Sequence, residues 1–400
     1  MSHTREQVLP AAPGYGRNSI AEVFVSSASA LGLPGYTNHL QLPSADRICV
    51  VLVDGLGKAQ LKDRGGHAPF LRRSMDGAPT LSSAFPSTTA TSLASLGTGL
   101  TPGEHGMVGF DVLDPDQDKV VNMLGGWDAN VDPARWQPHP TIFERIEAEV
   151  PVATVSLPKF ESSAMTRAAL RGGSFIPATS SHAKTAAAAG AMADNSRMLM
   201  YLYFNELDRA GHRYGFQSSE WEHELEELDG AMRRLSSQLP PGTQLLLTAD
   251  HGMVDVPESR RYDYAANPHL IDGVRHTAGE PRMVHLYLEP DGGEGQRERL
   301  LAAWREAHGH EAWVMTREEA IRSGYFGAAV DPKVAGRIGD VLIAAREPVA
   351  FYDTRRVRPT ALEVVGQHGS LTRAEREIPL VNIEVPANKG RSGARKAVRG

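Results

Sequence analysis

Four short runs of the chain are almost entirely apolar, and they constrain the fold more than any other feature. They are residues 47–54 (RICVVLVD), 152–157 (VATVSL), 198–204 (MLMYLYF) and 244–250 (QLLLTAD). A strand that is covered on both faces is apolar throughout, whereas a strand with one face in water alternates apolar and polar residues. Longer segments with helical spacing, such as residues 218–239, separate these runs. The pattern predicts an α/β fold with a mainly parallel central sheet and helices on both faces.

Other parts of the chain depart from this pattern and suggest the domain organisation. The composition changes at LEPDGGEGQ near residue 290, and short helix-like and strand-like segments follow. The final residues are polar, glycine-containing and basic, which is typical of a disordered tail. We therefore expect an N-terminal extension (1–45), a main domain (46–289 and 353–387), a small α+β insertion or cap (290–352) and a basic disordered tail (388–400).

Composition excludes several classes of function. The 400 residues carry a formal net charge of −6, which gives no general reason to expect binding to nucleic acid polymers or to an anionic membrane. The single cysteine, Cys49, lies in an apolar run, so disulfide frameworks and cysteine-rich zinc sites are excluded. No window reaches the roughly 18 apolar residues of a membrane span. We expect a cytoplasmic protein.

Acidic and imidazole side chains follow the predicted strands. They are Asp54, Asp208, His212, Asp250, His251 and, in a later loop, His368. Ligands of an open α/β sheet bind beyond the carboxyl ends of the strands, so these groups can meet in one crevice. Three Asp and three His form the mixed oxygen and nitrogen ligand set that zinc favours, and six ligands suit two metals better than one. Individually, each has a simpler interpretation as a turn former or a surface hydrogen bond.

Asp250 and His251 are adjacent, which sets a geometric condition. Neighbouring side chains inside a strand point to opposite faces of the sheet. The two can share a target only where the chain has begun to turn, and Gly252 makes that turn easy.

A segment rich in hydroxyl groups supplies candidate nucleophiles. Residues 84–107 (AFPSTTATSLASLGTGLTPGEHGM) place Ser87, Thr88 and Thr89 at the start of a predicted helix through TSLASL. The amides of a helix N-terminus favour anions, so a phosphate can dock there. The alternative is a Ser/Thr helix cap with small residues packed against the sheet.

These motifs together resemble the type I phosphodiesterase and nucleotide pyrophosphatase branch of the alkaline phosphatase superfamily. The matching stretches are VDG, FPSTTATSLASLGTGLTPGEHG, ELDRAGHRYG, TADHGM and QHG, in the family's order, over about residues 46–285 and 364–370. The resemblance implies an alkaline phosphatase-like fold with two divalent metal ions, expected to be zinc, with manganese as the alternative. It implies that Asp54, Asp250 and His251 hold one metal, and that Asp208, His212 and His368 hold the other.

The resemblance also implies a chemistry. Thr89 is the expected nucleophile, with Thr88 and Ser87 as alternatives in register, and attack on phosphorus gives a phosphothreonine intermediate that water hydrolyses. The expected substrate is a small-molecule phosphate diester, pyrophosphate or nucleotide. The family's F-P-N-H motif carries an Asn that helps to hold a phosphoryl oxygen, whereas this chain has Ser92 there, which puts nucleotide preference in doubt. Arg275 and Arg282 are candidate substrate contacts, with surface or loop salt bridges as the alternative.

Two other functions stay open at this point. A phosphomonoesterase or phosphonate hydrolase of the same superfamily shares the ligand set and differs in its surroundings. A non-catalytic metal-binding protein is the second alternative, although the ligand set and the candidate nucleophile are both present.

Overall fold

The computed structural model describes residues 8–125, 127 and 130–387. Its strands are β1 (Arg47–Val53), β2 (Thr80–Ser82), β3 (Asp111–Asp114), β4 (Lys119–Asn122), β5 (Val152–Ser156), β6 (Ser174–Pro177), β7 (Met198–Phe204), β8 (Thr243–Thr248), β9 (Val254–Asp255), β10 (Arg261–Asp263), β11 (Val274–Glu280), β12 (Met283–Leu288), β13 (Ala312–Thr316), β14 (Val341–Ala345), β15 (Ala350–Tyr352), β16 (Gly366–Gln367), β17 (Glu377–Pro379) and β18 (Val381–Ile383).

The α-helices fill most of the intervals between these strands. They are α1 (Glu22–Ala30), α2 (Lys58–Asp63), α3 (Pro69–Ser74), α4 (Thr89–Thr98), α5 (Pro102–His105), α6 (Pro133–Trp136), α7 (Ile142–Ile146), α8 (Ala164–Ala169), α9 (Ser181–Asp194), α10 (Glu206–Tyr214), α11 (Ser219–Gln238), α12 (Gly293–His308), α13 (Arg317–Arg322), α14 (Pro332–Ala335) and α15 (Arg373–Arg376). Short 3₁₀ helices occur at Pro158–Phe160, Glu258–Arg260, Tyr264–Ala266, Pro268–Leu270 and Pro359–Glu363.

Six of the strands form the central sheet, in the order β18-β8-β1-β7-β5-β6. The pairings among β8, β1, β7, β5 and β6 are parallel, and β18 joins the edge of the sheet antiparallel to β8. The four apolar runs of the sequence become β1, β5, β7 and β8, and every residue of the last three is buried. This confirms the predicted α/β fold with a mainly parallel central sheet.

Helices cover this sheet. α11 packs beside α9, which contacts β5 and β7, while α1, α4, α7 and α8 pack together as a second group. α11 buries Trp221, Leu225, Leu228, Met232 and Leu235, which are the residues at helical spacing in the sequence. Ile20 and Phe24, from the N-terminal 45 residues, also belong to the main core.

A second, antiparallel sheet has the order β11-β12-β14-β13. It joins strands from both sides of residue 290, because β12 pairs with β14. Its own buried cluster includes Leu286, Trp304 and Ile343. Within the described residues, no helix has the length and apolar character needed to cross a membrane. The predicted basic tail, residues 388–400, lies outside the described part of the chain.

Candidate active site

The parallel strands β8, β1 and β7 end at the same edge of the central sheet, and the site is built there. Asp54 is the first residue after β1, and its backbone N–H donates to the carbonyl oxygen of Phe204 at 2.8 Å. Asp250 lies two residues beyond the end of β8. Parallel register between adjacent strands therefore brings residues about 200 positions apart to one place.

The chain has turned where Asp250 and His251 follow each other. One oxygen of Asp250, Oδ1, accepts the backbone N–H groups of Gly55 at 3.1 Å and of His251 at 3.0 Å. His251 Nε2 lies 3.4 Å from Asp54 Oδ1 and 3.5 Å from Asp250 Oδ2. A Cβ atom at Gly252 would lie 2.0 Å from the carbonyl oxygen of Ala374, so the turn leaves no room for a side chain. Asp250 and His251 consequently face the same point.

The histidines are oriented by hydrogen bonds to backbone carbonyls. Nδ1 of His212 lies 2.7 Å from the oxygen of Gly366, and Nδ1 of His368 lies 3.0 Å from the oxygen of Ser87. A carbonyl only accepts, so each Nδ1 carries a hydrogen, and in the neutral ring Nε2 then keeps its lone pair for a cation. On α10, His212 Nε2 lies 3.4 Å from Asp208 Oδ1, one turn earlier in the helix.

Two groups of side chains have ligand atoms that all lie within 4.8 Å of one another. The first is Asp54, Asp250 and His251, the set that the resemblance implied. The second is Asp208, His251 and His368, with His212 beside it, its ring 5.1 Å from that of His368. We call these six residues the metal end: Asp54, Asp208, His212, Asp250, His251 and His368.

The metal end fits divalent cations on chemical grounds. Asp250 Oδ2 and Asp208 Oδ1 are buried and have no hydrogen-bond partner among the described residues. Burial and the charges of Asp250 and Asp208 raise the pKa of Asp54 well above its usual value. Burial and the neighbouring His251 and His212 lower the pKa of His368 well below its usual value. Crowded carboxylates with unpartnered oxygens, next to the imidazole rings of three histidines, form a suitable ligand set for a pair of divalent cations.

Thr89 stands beside the first group. It is the first residue of α4, and its Oγ1 lies 3.1 Å from His251 Nε2 and 3.4 Å from Asp54 Oδ1. The side chain lines the cavity and is 7% exposed. A hydroxyl at a helix N-terminus beside a cation site combines a nucleophile with amides that favour an anion.

A cavity of about 900 Å³ opens from the metal end. Much of its wall is apolar or aromatic, including Phe110, Leu124, Phe160 and Phe175. Its basic lining side chains among the described residues, apart from the histidines, are Lys159 and Arg356, and Arg356 Nη2 pairs with Asp111 Oδ2 at 2.9 Å. The cavity therefore combines the metal end with a mostly apolar wall, in which the charged side chains include Lys159, Asp353 and the pair Arg356–Asp111.

Three predicted substrate contacts lie elsewhere. The Ser92 hydroxyl donates to the backbone carbonyl of Asp250 at 2.8 Å. Arg282 is fully buried, where it forms two hydrogen bonds with Glu375 at 2.7 and 2.8 Å. Arg275 pairs with Asp118 at 3.2 Å near the surface. None of the three is among the described residues that line the cavity, although Ser92 lies on α4 one helical turn after Thr89.

Two residues at the site were missed by sequence reasoning. The Tyr203 hydroxyl donates to Asp54 Oδ2, and the buried Glu280 places Oε2 3.5 Å from His368 Nδ1. Tyrosines two residues apart in MLMYLYF share one face of a strand, which is the signal that could have found Tyr203. Glu280 comes from β11 of the second sheet, and nothing in its local sequence indicates that neighbour.

The fold is similar to that of solved proteins. Murine ectonucleotide pyrophosphatase/phosphodiesterase 5, an inactive variant in complex with AMP, matches with a TM-score of 0.67 at 17% identity, covering 84% of this chain and 88% of that one. Phosphonoacetate hydrolase from Sinorhizobium meliloti 1021, in complex with phosphonoacetate, matches with a TM-score of 0.66 at 20% identity, covering 88% and 93%. At these identities the similarity shows the fold.

Family membership rests on the sequence itself. The family model described as type I phosphodiesterase/nucleotide pyrophosphatase matches residues 48–371, which is most of the chain. That range contains all six residues of the metal end and Thr89. The chain belongs to the type I phosphodiesterase/nucleotide pyrophosphatase family and is a phosphoric ester hydrolase.

Proposed function

We propose that this protein hydrolyses phosphate diesters through a phosphothreonine intermediate on Thr89. The observation that carries the proposal is the position of Thr89 Oγ1, 3.1 Å from His251 Nε2 at the junction of the metal end and a large apolar cavity. The similar proteins bound to AMP and phosphonoacetate support a small phosphorus-containing substrate.

The residues of the chain have defined tasks in this reaction. Asp54, Asp250 and His251 would hold one cation, and Asp208, His212 and His368 would hold the other. When bound, two divalent cations supply Lewis-acid stabilisation of the attacking and leaving oxygens in line with phosphorus. Thr89 is held by α4 within reach of Asp54 and His251, and its hydroxyl loses its proton as the bond from Oγ1 to phosphorus forms.

Bond changes balance over two steps. The bond from phosphorus to the leaving alcohol breaks, and that alcohol takes up one proton. Water then attacks the phosphothreonine, which returns the Thr89 hydroxyl and releases a phosphate monoester. The overall reaction consumes one diester and one water, and yields one monoester and one alcohol.

The charge and the lining of the cavity favour a phosphate diester over a phosphate monoester as the substrate. A monoester carries up to two negative charges at neutral pH, and a diester carries one. Arg356 is already paired with Asp111, and the ammonium of Lys159 lies 4.9 Å from the centroid of the Phe160 ring. The second ester group of a diester would instead pack against the apolar and aromatic residues that line the cavity.

Zinc is the metal that we propose, because the ligands mix carboxylate oxygen and imidazole nitrogen. The metal-free protein should regain activity with added zinc, and reconstitution with manganese tests the alternative. Full activity after exhaustive chelation would contradict the metal requirement.

The test compares wild type with Thr89→Ala on three substrates. We expect metal-loaded wild type to cleave bis-p-nitrophenyl phosphate faster than p-nitrophenyl phosphate, and Thr89→Ala to lose turnover while retaining metal. Full activity of the variant would refute Thr89 as nucleophile. Faster cleavage of the monoester would favour a phosphomonoesterase. Release of acetate from phosphonoacetate would favour the second candidate, a phosphonate hydrolase. The similarity to the Sinorhizobium enzyme supports that candidate. No turnover of any of them would favour a non-catalytic protein.

A further inference from the structure

The central sheet contributes a second polar feature to the cavity, from residues that belong to the strands themselves. Thr154 and Ser156 lie two residues apart on β5 and share one face, and Thr154 is directly opposite Tyr201 on the adjacent strand β7. All three line the cavity, with exposed fractions of 4%, 2% and 2%. We call these three residues the hydroxyl floor.

The hydroxyl floor lacks hydrogen-bond partners among the described residues. Thr154 Oγ1, Ser156 Oγ and Tyr201 Oη are buried and have no partner among the described residues, and the same holds for Asn205 Oδ1, which also lines the cavity. Buried polar groups in folded proteins are nearly always hydrogen-bonded, so an unpartnered cluster requires an explanation. Four such atoms belong to residues that line one cavity, so a molecule bound in that cavity is the candidate partner.

Position and charge limit what that molecule can be. Tyr203 lies on the same face of β7 as Tyr201, with the two rings 6.0 Å apart and nearly parallel, and its hydroxyl already donates to Asp54. The floor therefore adjoins the metal end. Its own groups are neutral, and of the two basic lining residues named above one is paired with an acid and the other is exposed. A second anionic group would find little compensation there.

We infer that the hydroxyl floor binds a neutral, hydroxyl-bearing alcohol moiety of the substrate, such as a sugar or a polyol. This inference rests on the proposed function, because it names the ester group that lies beside the phosphate held at the metal end. Hydroxyl groups both donate and accept, so they match side chains that do the same.

The first experiment compares p-nitrophenyl phosphodiesters that differ only in the second ester group: 2,3-dihydroxypropyl, propyl and the anionic 2-carboxyethyl. We expect zinc-loaded wild type to prefer the dihydroxypropyl over the propyl ester by about 10-fold in kcat/KM, from one or two neutral hydrogen bonds. The carboxyethyl ester should be the poorest of the three. In the triple variant Thr154→Val, Ser156→Ala, Tyr201→Phe the preference for hydroxyl groups should vanish.

A matched control is Thr243→Val. Thr243 begins β8, and its Oγ1 is also buried without a partner among the described residues, but it does not line the cavity. This variant should keep the preference of wild type. The single variant Thr154→Val, which should reduce the preference partially, replaces the triple variant if the latter does not fold.

A binding measurement separates failure of the floor from failure of the proposed function. Calorimetric titration of zinc-loaded Thr89→Ala with glycerol 1-phosphate and with propyl phosphate should show tighter binding of the glycerol ester, and adding the triple substitution should remove the difference. Equal cleavage of the propyl and dihydroxypropyl esters by wild type, or the fastest cleavage for the carboxyethyl ester, would overturn the inference and leave the proposed function intact. If no ester is cleaved, the proposed function fails. The titration then tests the hydroxyl floor alone, and equal affinities for glycerol 1-phosphate and propyl phosphate would overturn the inference.

Discussion

The metal end and the hydroxyl floor belong to the same sheet and the same cavity, but they differ in where their residues sit on the strands. Residues of the metal end follow strands or lie in loops and on α10, whereas Thr154 and Tyr201 lie inside β5 and β7 and Ser156 is the last residue of β5. Positions beyond a strand end have loop amides nearby that can stabilise a carboxylate, as Gly55 and His251 do for Asp250. Positions inside a fully covered sheet have no such groups available, so neutral hydroxyls are what the sheet can accommodate there. In the functions that we propose, the charged residues beyond the strand ends take part in the reaction, and the neutral hydroxyls of the strands recognise the substrate.

The largest expected effect comes from breaking the metal end. Asp250→Asn keeps the size of the side chain but removes the charge of a buried ligand. We expect kcat/KM to fall by at least about 1,000-fold, because cation stabilisation of the transition state is worth several kcal/mol. Metal analysis should show one bound cation fewer per chain. A variant with wild-type metal content and wild-type turnover would refute the first cation site.

A second prediction concerns the support behind the metal end. Glu375 pairs with Arg282 and also accepts the backbone N–H of Ser370 at 3.1 Å, close to His368 in the chain. Arg282→Met should lower the free energy of unfolding by about 3–5 kcal/mol, because it leaves Glu375 buried without its cation. Urea unfolding measures this effect.

The matched control for that variant is Arg275→Ala, at the partly exposed pair with Asp118. Its effect on the free energy of unfolding should stay within about 0.5 kcal/mol. If Arg282→Met instead raised KM without any loss of stability, Arg282 would be a substrate contact after all.

A third prediction distinguishes two roles for Ser92. If its hydroxyl holds the carbonyl of Asp250, Ser92→Ala should weaken metal binding and lower kcat/KM by about 10-fold, as for other residues that orient metal ligands. Titration of the metal-free variant with zinc provides the first measurement, and kinetics at saturating zinc provide the second. A rise in KM with unchanged zinc affinity would restore the substrate contact that the family motif suggested.

The last prediction concerns the stability of the fold and a buried histidine that belongs to neither the metal end nor the hydroxyl floor. Burial lowers the pKa of His285 to about 3, and its Nδ1 accepts the backbone N–H of Gly339 at 3.3 Å. An unfolded histidine titrates near 6.5, so the folded state excludes a proton that the unfolded state binds between these values. The contribution of neutral His285 to the free energy of unfolding is therefore fully present above about pH 6.5. It decreases as the pH falls towards 3, by up to about 1.4 kcal/mol per pH unit.

Unfolding of metal-free wild type and His285→Gln between pH 7 and 4 measures this dependence. The variant should lose less stability on acidification than wild type. Parallel pH profiles for the two proteins would contradict the assignment to His285, and would leave acid sensitivity to other groups such as His105, whose pKa burial also lowers to about 3.

Much of the fold could be predicted from the sequence for a simple physical reason. Runs such as RICVVLVD are apolar without alternation, which only a strand covered on both faces tolerates, and they became β1, β5, β7 and β8. The candidate ligands were accessible because strand ends in a parallel sheet share one edge. Asp54 and Asp250 could be placed together without any knowledge of the loops between them.

The direction in which individual side chains point could not be predicted from the sequence in the same way. Ser92 points to the carbonyl of Asp250 because of the rotation of α4 about its axis, and Arg282 is bound to a glutamate 93 residues away. His251 belongs to both groups of ligand atoms, whereas His212 stands beside the second, and that depends on interatomic distances set by the packing of the whole chain. Local sequence does not encode these distances.

The sequence by itself determined the fold class, the edge of the sheet at which chemistry is concentrated, and the residue types gathered there, because burial patterns and strand ends follow from local order. Only the tertiary structure decided which groups meet across strands. The order β7-β5 places Tyr201 opposite Thr154, and the second sheet brings Glu280 to His368. Strand order and the packing of one sheet against another depend on the whole chain at once, so no short stretch of sequence contains them.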